Sequence, residues 1–138
     1  MTRKISDVMP QRAPVALPPD ASVRDAADTM CRENIGSVLV VEAEELRGIF
    51  TERDVLCRVI ARERDPGTTS LAEVMTAHPD TIAPENMAID GLHKMHDGGY
   101  RHLAVVSDGR VIGVISRRDF GWLEEARLEE ETQIWERI

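Results

Sequence analysis

The residues of this chain best suited to chemistry come in two matched groups. Thr51-Glu52-Arg53-Asp54 follows Gly48-Ile49-Phe50, and Ser116-Arg117-Arg118-Asp119 follows Gly113-Val114-Ile115. In each, a hydroxyl stands three residues before a carboxylate, with arginine between them. An ionised carboxylate can accept hydrogen bonds from two neighbouring hydroxyls at once. A helix beginning just after the hydroxyl would add free N–H groups and the positive end of its dipole, which suit an anion. Arginine in a first helical turn is disfavoured by that dipole unless an anion sits there. The competing reading is local. Thr51-x-x-Asp54 and Ser116-x-x-Asp119 have the form of capping boxes, whose side chains satisfy the helix start themselves. On local sequence alone, capping is the simpler explanation.

Repetition changes that balance. The glycines, hydroxyls and aspartates of the two groups all lie 65 residues apart, inside a chain of 138. A repeat of this kind governs the fold and has to be recognised before individual elements are assigned. Val15-Ala16-Leu17, held extended between Pro14 and Pro18-Pro19, predicts a short edge strand. Asp20 or Ser22 can cap a helix in which Val23, Ala26, Ala27 and Met30 share one face. Ser37–Val41 is a short, β-branched apolar run suited to a buried strand, Glu42–Glu45 a turn, and Leu46–Phe50 the next strand. Val55, Leu56, Val59 and Ile60 predict a helix from Glu52 to about Glu63, ended by Asp65-Pro66-Gly67. The second half replays this order with Thr81-Ile82, a helical face of Ala88, Gly91, Leu92 and Met95, a strand over Leu103–Val106, a turn at Ser107–Arg110 and a strand to Ser116. Ile5–Met9 is mirrored by Leu71–Met75 at an offset of 66, one residue of slack before Pro14. The fold class that follows is α+β: two pseudo-symmetric β-α-β-β-α repeats. Residues 1–67 form the first with its N-terminal segment and linker, 68–120 the second, and 121–138 an acidic helical tail. A half of about 60 residues buries too little surface to be secure alone, so the two are expected to pack as one module.

The twofold Gly-apolar-apolar-[Ser/Thr]-x-x-Asp pattern resembles that of cystathionine-β-synthase (CBS) domains, which occur as tandem pairs. The resemblance covers roughly residues 5–120. It implies a non-catalytic regulatory module that binds an adenine nucleotide (AMP, ADP or ATP) or another adenosyl ligand such as S-adenosylmethionine, NAD or a cyclic dinucleotide, in the clefts between repeats. In such domains the matching aspartate accepts from ribose hydroxyls and the Ser or Thr lies near phosphate. That implies Asp119 and Asp54 at the ribose, and Ser116 and Thr51 near phosphate. Thr81 and Ile82, and in the first repeat Ala16 and Leu17, would border the base. Tyr100, Arg101 and His102, opposite Gly36 and Ser37 of the first repeat, would lie at the phosphate rim. Arg53, Arg117 and Arg118 would neutralise charge. The half-sites differ: Ile35-Gly36-Ser37 faces Tyr100-Arg101-His102, and Ala16 stands where the second repeat has Thr81. The second, richer in donors and cations, is expected to bind more strongly. The resemblance also implies homodimerisation, for which the helices of Met30, Met95, Val59 and Ile60 offer apolar surface. The alternative is a ligand-independent dimerising scaffold acting on an unidentified protein target.

Composition sets limits on the rest. A net charge of −8 makes non-specific binding to nucleic acid unfavourable. Residues 121–138 hold six Glu against Arg127 and Arg137, and are expected to form a solvated helix that packs Trp122 and Trp135 on the body or on a second subunit. Cys31 and Cys57 suggest small buried hydrophobes in a reducing compartment. No apolar run approaches a membrane span and no secretory h-region is present, so a cytoplasmic protein is expected. His78, His93, His96 and His102 do not form a metal-ligand pattern, and neither a nucleophilic triad nor a phosphate-binding glycine loop is recognisable.

Overall fold

The computed structural model describes residues 2–137, and the side chains of all of these but 122, 123, 136 and 137. It is a mixed α+β chain with two sheets, ordered β1-β2-β3-β4 and β5-β6-β7. In the first repeat β1 (Ala16–Leu17) runs parallel to β2 (Ser37–Glu42), which pairs antiparallel with β3 (Glu45–Thr51). In the second, β5 (Thr81–Ile82) runs parallel to β6 (His102–Ser107), and β6 pairs antiparallel with β7 (Arg110–Ser116). The registers coincide: Ala16 pairs with Leu39 and Thr81 with Ala104, while Ser37 faces Thr51 and His102 faces Ser116. Even the bulges match, between Val40 and Val41 and between Val105 and Val106.

Helix α2 (Val23–Glu33) starts at Ser22, whose hydroxyl accepts from Asp25 N at 3.0 Å. Its Val23, Ala26 and Met30 are buried, as are Ala88, Leu92 and Met95 of α5 (Ala88–Gly98), so the 3.6-residue period reads the inner faces correctly. Met30 and Met95 are themselves buried within their own cores. After Thr51 the chain makes a short α-helical turn, α3 (Glu52–Asp54), and continues as a π-helix over Val55–Ile60. The expected helix therefore ends earlier, and its wider turn leaves only Val59 buried while Leu56 and Ile60 are 63% and 58% exposed. Cys57 shares that outer surface, and Cys31 follows Met30 onto the outer side of α2. Both thiols are exposed, contrary to the expectation of burial.

Contact within the chain defines two compact units, Ala13–Pro79 and Met1–Arg12 with Asp80–Ile138. These bounds differ from an expected division at residue 67. The short helix preceding each repeat packs with the other one. Helix α4 (Leu71–Val74) closes the first unit, where Leu71 N donates to Ala21 O at 2.9 Å, Ala72 N to Pro19 O at 3.0 Å, and Leu71 and Val74 join the core of Val23, Met30, Val38 and Phe50. Helix α1 (Ile5–Val8) makes the same bonds in the second unit, Ile5 N to Asn86 O at 2.8 Å and Ser6 N to Pro84 O at 3.0 Å, and Ile5 and Val8 join Leu92, Met95, Leu103 and Ile115. The offset of 66 between the helices was visible in the sequence, but the choice of partner repeat rests on contacts between residues far apart in the chain.

Two features separate the units. In the first, Gly48 and Ile49 pair with Ala77 and Thr76 of a fourth strand, β4 (Thr76–Ala77). The residue after Met9 is Pro10, which has no N–H to offer a ladder, and the second sheet has three strands. In the second, the chain passes Ser116 into one 3-10 turn (Arg117–Asp119) and then begins α6 (Trp122–Arg137). Leu128 of α6 is buried in the second core. His93 of α5 contacts Glu131, Arg3 pairs with Glu124, and Thr132 Oγ1 donates to Leu128 O at 2.9 Å. The tail thus packs on its own unit. Trp135 remains 75% exposed rather than buried, and the burial expected of Trp122 lies outside the described side chains.

Candidate functional site

Each candidate half-site is built where the last two strands of a sheet meet a turn. In the first unit Glu52 N donates to Gly36 O at 3.0 Å, which fixes the start of α3 against the end of β2. Thr51 and Asp54 then close a complete capping box. Thr51 N and Oγ1 donate to Asp54 Oδ2 at 2.9 and 3.1 Å, and Thr51 Oγ1 accepts from Asp54 N at 3.3 Å. The second carboxylate oxygen, Asp54 Oδ1, lies 3.5 Å from Arg58 Nε. Arg58 in turn donates to Val74 O at 3.1 Å and Met75 O at 2.7 Å, tying the turn to the C-terminal end of α4. Capping accounts for both side chains here.

The second unit repeats the backbone and the bond from the hydroxyl residue's N–H to the aspartate, and not the rest of the side-chain bonding. Arg117 N donates to Arg101 O at 2.8 Å, and Ser116 N donates to Asp119 Oδ2 at 2.7 Å. Ser116 Oγ, however, is buried with no hydrogen-bond partner among the described residues. Asp119 has no ion pair corresponding to that of Asp54 among the described residues, and the residue 65 on from Arg58 is Leu123. A buried hydroxyl without a partner forgoes about 1–3 kcal/mol of hydrogen bonding. Among the described residues the turn therefore leaves a buried hydroxyl without a partner and a carboxylate without an ion pair, next to Arg117 and Arg118 in the chain.

The remaining predicted residues divide clearly. His102 faces Ser116 across the β6–β7 ladder, with Arg101 immediately before it, so these stand beside the turn; Ser37 and Gly36 hold the same positions beside Thr51. Arg53, Arg101 and Arg118 are exposed. Thr81 is half-buried on β5 and its carbonyl accepts from Lys94 Nζ at 3.0 Å, while Ile82 is buried in the second core. Ala16 is exposed, and Leu17 packs against the first core. Tyr100 packs on the second core and donates its hydroxyl to Asp80 Oδ2 at 2.7 Å; burial, and then this bond, push its pKa up. Sequence reasoning missed two residues. Arg58, four positions after Asp54 on one helical stretch, is a pairing the helical period could have flagged. Glu125, which holds Arg117, follows a break between the 3-10 turn and α6 that no local period crosses.

Among the described residues no three His, Cys, Asp or Glu side chains converge on a point where a metal could bind, and no helix is long and apolar enough to cross a membrane.

Two sheets of matching register, each ending on the same hydroxyl-to-aspartate turn, define a tandem-repeat α+β protein. The CBS domain pattern matches residues 5–61 and 71–120, and the chain belongs to the CBS-domain family. It is 33% identical over 126 residues, 83% of its length, to a mitochondrial CBS domain-containing protein of Arabidopsis thaliana. It is 34% identical over 124 residues, 88% of its length, to the arabinose 5-phosphate isomerase of Francisella tularensis. The chain spans 61% of the plant relative and 37% of the isomerase. Its fold matches that of a CBS domain protein from Pyrobaculum aerophilum complexed with AMP, with a TM-score of 0.81, 25% identity, and 92% and 98% of the two chains covered.

Proposed function

We propose that this chain is a regulatory module that senses an adenine nucleotide, or another adenosyl ligand, at the turns that end the sheets of its CBS repeats, with the second repeat making the stronger contacts. The carrying observation is the Ser116 turn, where a buried hydroxyl lacks a partner beside an aspartate less committed than its counterpart. A phosphate oxygen would satisfy Ser116 Oγ, and vicinal ribose hydroxyls would donate to Asp119. The complex of the Pyrobaculum protein with AMP supports this ligand class. The role is binding rather than catalysis, in the cytoplasm, and the ligand acts through a protein partner or through the pairing of two chains. Leu56 and Ile60, exposed side by side on the π-helix, support such pairing.

Calorimetric titration with AMP, ADP, ATP, S-adenosylmethionine and NAD, joined to thermal denaturation, tests this reading. A true ligand at a hundred times its Kd adds about 2.7 kcal/mol of stability, a shift of several degrees. Saturable binding by at least one compound, weakened by Asp119→Ala, is expected. Absence of both heat and thermal shift across the series would sink the sensor and leave the ligand-independent dimerising scaffold.

A further inference from the structure

Arg117 is the first cation after Ser116, and its guanidinium is occupied. Nε donates to Glu125 Oε1 at 2.9 Å and Nη2 to Glu125 Oε2 at 3.0 Å, a two-pronged pair that leaves the arginine side chain only 24% exposed. The backbone is fixed as well, because Arg117 N is bonded to Arg101 O. Glu125 lies in the first turn of α6, which is anchored independently through buried Leu128, the Arg3–Glu124 pair and the His93–Glu131 contact. Glu125 N donates to Gly121 O at 3.2 Å, so the carboxylate is presented from a formed helix.

The first repeat has neither member of this pair. At the offset of 65, Arg117 corresponds to Glu52 and Glu125 to Ile60. The second repeat has therefore gained a cation at its candidate anion site together with a carboxylate that fills it. Carboxylate and phosphate are both bidentate partners for arginine, and the Nε–Nη2 edge that Glu125 fills accepts one of them at a time.

We infer that Glu125 is a built-in anion that competes with the ligand's phosphate for Arg117, so that α6 sets the affinity of the second half-site and loosens at its N-terminal turn when phosphate arrives. This rests on the ligand reading above. Glu125 acts through Arg117 and is a specificity-determining residue: it discriminates against ligands whose anionic group is too weak to displace it. Adenosine, without a phosphate, meets no such competition.

The test is calorimetric titration of the intact chain with AMP, ATP and adenosine, comparing wild type, Glu125→Gln, Arg117→Gln and the double variant. Freeing a partly exposed arginine fork should tighten AMP binding about two- to fivefold in Glu125→Gln. The gain should vanish in the Arg117→Gln background and be absent for adenosine. If wild type binds AMP and Glu125→Gln binds it equally or less well, the inference is overturned and the ligand reading stands. If AMP and ATP bind to neither protein, the ligand reading fails and the inference with it. Should Glu125→Gln not fold, the wild type still answers. Arg117 holds the Glu125 carboxyl below its ordinary range, and saturation with AMP must return that carboxyl toward the ordinary value by NMR titration. An unchanged Glu125 titration in the AMP-bound protein overturns the inference.

Discussion

The turns at Thr51 and Ser116 share backbone, register and the bond from the hydroxyl residue's N–H to an aspartate, and they differ in what becomes of the remaining lone pairs. Thr51 Oγ1 is spent on Asp54, and Asp54 Oδ1 faces Arg58, which carries the connection on to α4. Among the described residues Ser116 Oγ has no partner, and the nearby arginine is held by a helix the first unit lacks. One turn spends on its own unit groups that, among the described residues, the other leaves unspent. Duplicated repeats keep the scaffold because main-chain bonds do not depend on side-chain identity, and they diverge at Arg58 and Glu125, seven and nine residues after the hydroxyls of their turns, where side chains decide which acceptors remain open.

The scaffold itself gives the largest test of that difference. A Cβ on Gly113 would overlap only the Met9 side chain, whereas one on Gly48 would overlap Met75 and also stand 2.8 Å from Thr76 O on β4. A flexible thioether can yield and a paired strand cannot. Gly48→Val should therefore cost about 3 kcal/mol and Gly113→Val about 1–2 kcal/mol, in line with overpacking of a tight contact. Urea denaturation of both variants measures this. Equal losses would mean that β4 yields as readily as a methionine side chain.

Next in size is a crossed effect of the two aspartates. Asp54→Ala removes a cap and the partner of Arg58, and should lower stability by about 1–2 kcal/mol with little effect on nucleotide binding. Asp119→Ala loses one backbone bond and should cost less stability. It should weaken ligand binding about tenfold or more, because each charge-assisted bond lost is worth about 1.5–3 kcal/mol. Thermal denaturation and calorimetry on the same two proteins separate the effects. A larger affinity loss for Asp54→Ala would place the stronger half-site in the first repeat.

Much of this was legible in the sequence, for physical reasons that also mark where legibility stops. The offset of 65 located both turns, every strand but β4, and the inner faces of α2 and α5, because local patterning and main-chain pairing repeat together. It did not show that α1 and α4 exchange repeats, since Ile5 and Leu71 carry equivalent apolar patterns and only long-range contact decides which core each enters. Nor did it show the π-helix over Val55–Ile60, in which Leu56 and Ile60, expected on the inner face, are exposed. At the candidate site, residue types single out Ser116 and Asp119 as candidates, but the commitment of Thr51 and the capture of Arg117 depend on rotamers and on Glu125 arriving from a separate helix.

Acid should distinguish the units through α6. Arg117 holds Glu125 below the ordinary 4.5. Burial opposes ionisation of Glu124, yet Arg3 and the N–H of Gly121 bring it below 4.5 as well, and Arg127 and then His93 do the same for Glu131. Because these folded-state values are depressed, their contribution is complete above the unfolded value and is lost as pH falls through the lowered ones. The Leu128 methyl signals and far-UV helicity, followed from pH 6 to pH 3, should report loosening of α6 below about pH 4. Signals that stay fixed until the whole chain unfolds would show that Leu128 alone secures the helix.

The smallest effect concerns the two hairpins. Glu42 pairs with Glu45 and Ser107 with Arg110, so each loop has two residues, and all four have positive φ: 50° at Ala43, 66° at Glu44, 52° at Asp108 and 77° at Gly109. Such a loop favours Asn or Asp followed by Gly, the chemistry of the second hairpin and not of the first. A side chain in the left-handed region costs about 1 kcal/mol, and an added glycine gives part of that back through greater freedom in the unfolded chain. Glu44→Gly should therefore stabilise the protein by about 0.5 kcal/mol, and Gly109→Ala should destabilise it by about 1 kcal/mol. Nucleotide affinity should not change in either variant, because both loops lie at the opposite ends of their strands from Thr51 and Ser116. Urea midpoints give the answer. A lower midpoint for Glu44→Gly would mean that contacts of the glutamate side chain outweigh its backbone strain, and that the first hairpin has adapted to a residue its geometry disfavours.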